Sequence, residues 1–331
     1  MSLDFDRQFQ EASFYSPLED FERTTVEVEL RTDPLTGRQT RIVPEAFVEP
    51  EESPELEEAV VEPEGCFFCP GTVKEATPEY PDFVGFDRGS VGEATSFPNL
   101  NPYGSHSNVV VLTEDHYVPM EDLSAWVLAD GFQAAWEYVD RVLEHDSDAR
   151  RASINMNFLP TAGSSIIHPH MQTLLDDQGT AEQQARIAGA KTYEGDPSAY
   201  FDEAIAASEE EGRFVGSTGD IDWYAPFAPG HHRHVRGVLA PEAFGTESTF
   251  EKLAIGVGNL LSSYAKAGLN SFNFGLHYLP DTSLPPHIDV VARSVFERYA
   301  WSDATFFETI HDERVIDLAP ELYASQAAEQ F

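Results

Sequence analysis

The stretch GSSIIHPHMQ (163–172) sets two of the chain's 11 histidines around a proline, behind a Gly-Ser-Ser run. On an extended segment, residues two apart share a face. A proline also holds the residue before it in extended backbone. His168, His170 and Gln172 therefore line one side of one strand. A neutral imidazole is a competent nucleophile at phosphorus, so His170 can act there while His168 binds a metal. Gln172 is placed to hydrogen-bond an oxygen on the attacked phosphorus. Gly163, Ser164 and Ser165 offer hydroxyls and backbone N–H groups to phosphate oxygens.

A metal needs further ligands, and the two cysteines of the chain stand together in CFFCPG (66–71). Thiolates three residues apart, on a turn with Pro70 and Gly71 behind it, can grip one tetrahedral zinc. Cys66 and Cys69 leave two positions open, for which His116 and His168 are the candidates. A redox pair is the weaker reading, because no thioredoxin-like strand, Cys-x-x-Cys and helix arrangement surrounds it. The plain alternative is two buried cysteines without a ligand.

These residues have to be carried by regular elements. NVVVLTEDH (108–116) predicts a strand that ends near His116. Apolar spacing predicts a long helix over 123–146, then a strand over 151–160 leading into the Gly-Ser-Ser loop, and a strand at HMQTLL. Residues 179–194 predict a helix with Thr180 as its N-cap. The second half repeats the order: strand pieces within 222–244, a helix over 248–269, and strands over 271–280 and 286–295. The pattern predicts an internal duplication with halves meeting near residue 200, hence units over 1–200 and 201–331. Gln39 to Val43 reads as a short strand, residues 1–30 as polar and irregular, and 48–65 as a solvated acidic loop. The HHRH run (231–234) reads as a solvent turn after Ala-Pro-Gly.

Composition narrows the partners. Hydrophobic residues at 41% and aromatics at 12% fit a folded globular protein. The 58 acidic residues against 20 basic ones give a net charge of −38. Such a charge repels nucleic-acid backbones and anionic membranes. Acids spread along the whole chain read as halophilic adaptation, in which salt screens the self-repulsion. With neither an apolar leader nor a membrane-length apolar run, a cytoplasmic location is expected.

In this order, DPLTG (33–37), CFFCPG, FPN (97–99), VVVLTEDH (109–116), GSSIIHPHMQ, YAPFAP (224–229), FNFGLHYLP (272–280) and FFE (306–308) resemble the galactose-1-phosphate uridylyltransferase family of the histidine triad superfamily. The resemblance covers most of the chain beyond residue 30, and with the acidic composition it suggests a halophilic archaeal member. It implies an α/β (α+β) fold of two histidine-triad-like halves, each an antiparallel sheet with packed helices, working as a homodimer. It implies that His170 becomes uridylylated, that Gln172 steadies the intermediate and that Ser165 holds substrate phosphate. Cys66, Cys69, His116 and His168 become the zinc ligands. Phe97, Asn99, Asn157 and Ser164 become substrate contacts, and Glu308 a contact of the sugar. The implied reaction is ping-pong, from UDP-glucose to galactose 1-phosphate. Some members hold a second metal, iron or zinc, for which Glu182, His277, His287 and Asp289 are the candidates.

Two departures bear on the acceptor. The family's phosphate-binding arginines would fall in VPEAFVEP (43–50), which has no basic residue; Arg38 and Arg41 precede it. Ser302 and Asp303 stand where the family has a lysine and a phenylalanine. Two alternatives follow. One is a related phosphorylase or hydrolase acting on another nucleotide sugar or a dinucleotide. The other is a zinc-stabilised nucleotide-binding protein without catalysis, which would have no use for His170 and Gln172.

Overall fold

The computed structural model describes residues 3, 5–44, 56, 64–296 and 302–331. The segment 43–50 and the acidic stretch 48–65 lie almost wholly outside the described residues. Strands β4 (Gly89–Val91), β5 (Ala94–Pro98), β6 (Asn108–Val111), β7 (Arg151–Phe158) and β8 (His170–Asp176) form one half of a large antiparallel sheet. Strands β9 (Phe214–Thr218), β10 (Ile221–Tyr224), β11 (Val235–Val238), β12 (Ser271–Tyr278) and β13 (His287–Arg293) form the other. The halves join edge to edge along β7 and β12, giving the order 4-5-6-8-7-12-13-11-10-9. Read inward from either end, that order is the same. The predicted repeat is thus present as one continuous ten-stranded sheet.

Alternation decides which face is covered. Val110, Ile154, Met156 and Met171 point to one side, with Leu276, Ile288 and Val290 in the second half, and all are buried. Helices α1 (Ala125–His145) and α4 (Glu247–Lys266) supply Leu128, Phe132, Leu253 and Val257 to the same core. Phe132 packs on Phe250 and Phe274, with ring centroids 6.2 and 5.3 Å away, and so ties both helices to the sheet. Truncating such a ring to alanine costs about 3–5 kcal/mol. His170, Gln172, Asn155 and Asn157 project from the opposite face.

Helix α2 (Ala181–Thr192) begins at Thr180 as predicted. The Thr180 hydroxyl and the Gln183 side chain satisfy each other's backbone N–H groups in a full capping box. Helix α3 (Tyr200–Glu210) follows, and α5 (Pro320–Ala328) closes the chain. Among the described residues, no helix is long and apolar enough to cross a membrane.

Two expectations need correction. Residues 7–32 are not irregular: β1 (Arg7–Ser16) and β2 (Glu22–Thr32) form a long hairpin, which continues through β3 (Gln39–Ile42) to β14 (Arg314–Ile316). Strand β2 alternates at Val26, Val28 and Leu30, but β1 places Gln10 and Gln8 opposite Val28 and Leu30, so the hairpin as a whole reads as polar. The 231–234 run is not a solvent turn either. Arg233 and His234 are buried, and His234 Nδ1 accepts the Gly230 N–H at 2.9 Å. Strand β11 draws the end of this run into the sheet, where Arg233 reaches Gln326 at 2.6 Å and His234 Nε2 reaches Asp289 at 2.8 Å.

Candidate active site

The turn after Gly65 is held by its own backbone. The Thr72 hydroxyl donates to the Cys66 carbonyl at 2.7 Å, and the Phe68 N–H reaches the Cys66 sulfur at 3.4 Å. This directs both sulfurs toward two histidines. Cys66 Sγ lies 3.7 Å from His168 Nδ1; Cys69 Sγ lies 3.6 Å from His116 Nδ1 and 3.7 Å from His168 Nδ1. A tetrahedral ion bonded to sulfur at ~2.3 Å and nitrogen at ~2.0 Å requires about 3.6 Å between such atoms. The four residues therefore have the donor set and spacing to hold one metal ion. His168 Nε2 donates to the Thr113 carbonyl at 2.7 Å, which leaves the Nδ1 lone pair for the ion. Burial pushes the His168 imidazole down to about 4, keeping it neutral. Burial and the adjacent Cys66 sulfur push the Cys69 thiol up to about 11, so a cation is needed to hold that sulfur as a thiolate at neutral pH.

Two residues beyond His168, His170 opens β8 opposite Val111. Its Nδ1–H donates to the His168 carbonyl at 2.8 Å. That bond fixes the tautomer and leaves the lone pair on Nε2, 3.3 Å from the Gln172 side-chain nitrogen. The ring is buried, and burial holds its pKa below the usual range. The metal group and the nucleophile candidate thus share one backbone carbonyl. Phe68 stands edge-on to His170 at 5.2 Å and also contacts Phe97 at 5.6 Å. Beside them lies a cavity of about 620 Å³, lined by Phe68, Val73, Thr95 and Val111, with Lys74 and Arg88 and the acids Asp87, Glu93 and Glu114 at its polar side.

The loop before the histidines begins with a backbone reversal. Leu159 has φ +68° and Gly163 φ +90°, and only glycine takes the latter without strain. The Ser164 hydroxyl donates to the Ile166 carbonyl at 2.7 Å, so it ties the loop together, while Ser165 is exposed. Asn99 is occupied by a local turn, its side-chain oxygen accepting the Asn101 N–H at 2.9 Å. Asn157 is exposed on β7, two residues from Asn155, which pairs with Gln172. Its carboxamide is oriented from the other half. Asn273 Nδ2 donates to Asn157 Oδ1 at 2.7 Å and to the Ala162 carbonyl at 2.8 Å, and Arg293 donates to Asn273 Oδ1 at 2.6 Å. Arg293 is in turn held by Asp303. The Asn157 Nδ2 donors are thereby turned outward.

Phe68, Thr113, Asn273 and Arg293 were missed in the sequence. Phe68 sits inside the Cys-x-x-Cys motif, where the ligands take the attention. Thr113 acts through its carbonyl, which has no sequence signature. Asn273 and Arg293 lie more than a hundred residues from Asn157.

The remaining candidates are placed elsewhere. Glu308 lies in a turn next to the small sheet, accepting from the Thr305 N–H and hydroxyl at 2.8 and 2.6 Å. Arg41 pairs with Glu313 at 2.8 Å, and Arg38 pairs with Glu182. His277, His287 and Asp289 do converge, with potential ligand atoms within 4.8 Å of one another. Glu182 is drawn to the same place, where Arg186 Nε reaches it at 2.8 Å.

No protein-family model matches the chain. An uncharacterised protein of Archaeoglobus fulgidus is 32% identical over 309 residues, covering 91% of this chain and 92% of that protein. The fold is similar to an ADP-glucose phosphorylase from Arabidopsis thaliana, solved with ADP-glucose bound, at TM-score 0.68 and 17% identity over 91% of this chain and 99% of that one. It is also similar to a uridylyltransferase, at TM-score 0.62 and 20% identity over 91% and 98%. The chain therefore belongs to one family with the Archaeoglobus fulgidus protein, and it shares the fold of the ADP-glucose phosphorylase and of the uridylyltransferase.

Proposed function

We propose that the chain is a nucleotidylyltransferase that works through a covalent nucleotidyl-His170 intermediate. The observation that carries this is the buried imidazole, whose Nδ1–H is spent on the His168 carbonyl and whose Nε2 lone pair faces the Gln172 side-chain amide at 3.3 Å. Nε2 attacks the α-phosphorus of a nucleotide sugar, the N–P bond forms, and the bond to the bridging oxygen breaks. The sugar 1-phosphate leaves with the electron pair. The Nδ1–H bond to the His168 carbonyl stabilises the positive charge that the ring acquires. Gln172 donates to a phosphoryl oxygen, with Ser165 and the Asn157 amide as further donors. An acceptor phosphate oxygen then attacks the same phosphorus and releases His170. The cavity beside Phe68, the one aromatic ring in its lining, is of a size for a nucleoside.

The ion we assign to Cys66, Cys69, His116 and His168 is Zn2+, and its contribution is to hold the turn and the His168-Pro169-His170 segment in place. UDP-glucose and galactose 1-phosphate are the substrates the sequence resemblance implies. One observation favours a second reading, a nucleotide-sugar phosphorylase. Arg38 and Arg41 are committed to Glu182 and Glu313, and so are not available to a sugar-phosphate acceptor. A homodimer belongs to the same proposal. Among the described residues, the outer part of the β1–β2 hairpin pairs only with itself, and it exposes Phe9, Tyr15, Leu18 and Phe21; an isolated hairpin of this kind is marginal alone. Light scattering should give twice the chain mass; a monomer in concentrated salt contradicts this.

Product analysis tests the function. UDP-glucose and ADP-glucose are each incubated with galactose 1-phosphate or with inorganic phosphate. UDP-galactose as product supports the transferase, and nucleoside diphosphate with glucose 1-phosphate supports the phosphorylase. Either activity should be lost in His170→Ala; turnover at the wild-type rate in that variant overturns both.

A further inference from the structure

The two-fold order of the large sheet identifies, strand by strand, what the second half carries in place of the nucleophile. Its centre is the ladder between β7 and β12, where Asn155 faces Gly275. Strand β8 begins at His170 opposite Val111, the last residue of β6; β13 begins at His287 opposite Val238, the last residue of β11. Gln172 lies opposite Val109 and Asn155, and Asp289 opposite Arg236 and Gly275. A proline precedes each histidine, and its carbonyl accepts an equivalent N–H: Leu112 to Pro169 at 3.0 Å and Leu239 to Pro286 at 2.9 Å. Even the imidazole is mounted alike. His170 Nδ1 meets the His168 carbonyl at 2.8 Å, and His287 Nδ1 meets the Pro285 carbonyl at 2.8 Å.

The difference is at Nε2. In the second half this atom accepts from Arg186 Nη1 at 2.5 Å. The same guanidinium reaches Asp289 Oδ2 at 2.5 Å and Glu182 Oε1 at 2.8 Å. Asp289 Oδ1 is taken as well, by His234 Nε2 at 2.8 Å and Arg236 Nε at 2.7 Å. Glu182 spends its other oxygen on Arg38. Arg186, Arg236, His234, His277 and His287 are all buried. Every carboxylate oxygen of Glu182 and Asp289 is thus already taken by a guanidinium or an imidazole, and Asp312 also faces Arg38 at 3.6 Å. A divalent cation would have to displace Arg186 from Glu182, His287 and Asp289, leaving a buried guanidinium without its partners.

We infer that Arg186 is the resident cation of this site: Glu182, His277, His287 and Asp289 hold no metal, and His287, the duplicate of His170, is capped and silent. Describing His170 as a nucleophile rests on the function proposed above, whereas the absence of a second metal does not. The test is the metal content of the intact protein. The chain is loaded with excess Zn2+ or Fe2+ in concentrated KCl, passed over a chelating resin and assayed by elemental mass spectrometry. One equivalent per chain is expected, unchanged in His277→Ala and lost in Cys69→Ser. Two equivalents in the unaltered protein, one of them lost in His277→Ala, would overturn the inference. A second arm addresses His287. His170→Ala, incubated with nucleotide sugar and digested, should give no nucleotidylated peptide; a label on the peptide containing His287 refutes its silencing. Failure of the proposed reaction would leave both His170 and His287 unlabelled in the unaltered chain, with the metal count still decisive.

Discussion

At the scale of the residue, the chemistry depends on one tautomer. His170 keeps its proton on Nδ1 because the His168 carbonyl is 2.8 Å away, and burial opposes a second proton. Its folded pKa lies below the unfolded value of about 6.5, chiefly through burial, so the neutral, nucleophilic form predominates at neutral pH. The rate should be flat at and above neutral pH and fall in acid, as the pH passes through the depressed pKa. A rate that rises on acidification contradicts a neutral imidazole nucleophile. Stability follows the same sign. His277 is held down to about 4 and His231 to about 3, each chiefly by burial. Their contribution is present above the unfolded pKa and lost as pH falls toward the folded values. Thermal melts should therefore show a falling midpoint from about pH 6.5 downward; a midpoint independent of pH to 4 would show that these imidazoles are not buried neutral. At this scale the sequence was most readable, since Cys66, Cys69, His116 and His168 do converge. It was least readable at Thr113 and Asn273, whose roles depend on partners brought near only by the sheet.

At the scale of the element, two structures hold the site. The Cys-x-x-Cys turn has one helical turn of regular structure and packs Phe68 and Val73 on the sheet, and the proposed ion would tie its two sulfurs to His116 and His168. Cys66→Ser should lower bound zinc below one per chain and the melting temperature by on the order of 10 °C. An unchanged zinc-to-protein ratio removes Cys66 from the ligand set. The second structure is the β7–β12 ladder, through which Asn273 turns the Asn157 amide outward. Asn273→Asp keeps the size and the acceptor for Arg293 but cannot donate to Asn157. It should reduce kcat/KM by about 5- to 150-fold, the equivalent of ~1–3 kcal/mol, with the melting curve little changed. A wild-type kcat/KM would leave Asn273 with a purely structural role. The strands and helices that carry these residues were legible because each has a clean apolar period. The β1–β2 hairpin was not, because both its faces are polar over most of its length and alternation leaves a weak trace.

At the scale of the whole molecule, the duplication and the charge stand out. The repeat could be read from the order of elements, but the joining of the halves into one sheet could not. No local pattern says that β7 and β12 will pair, and neither edge is marked by turns or charge. The separate fates of His170 and His287 were hidden for the same reason, since Arg186 comes from the connecting helix α2. The net charge of −38 is set against few cations, and many of those are committed: Arg31, Arg186, Arg213 and Arg236 are buried beside carboxylates. The surplus of acid is left to be screened by salt, with a Debye length falling from about 10 Å at 0.1 M to 3 Å at 1 M. The melting temperature should rise steeply with KCl, and dialysis into dilute buffer should unfold the chain. Equal stability in dilute buffer contradicts halophilic adaptation.

The most direct measurement is the intact mass of the protein after incubation with UDP-glucose, or with ADP-glucose, in concentrated salt and without acceptor. A single nucleoside monophosphate added per chain, absent in His170→Ala and discharged by galactose 1-phosphate or inorganic phosphate, is the predicted result. An unmodified mass with every nucleotide sugar, from protein that nevertheless turns those substrates over, would contradict a covalent His170 intermediate.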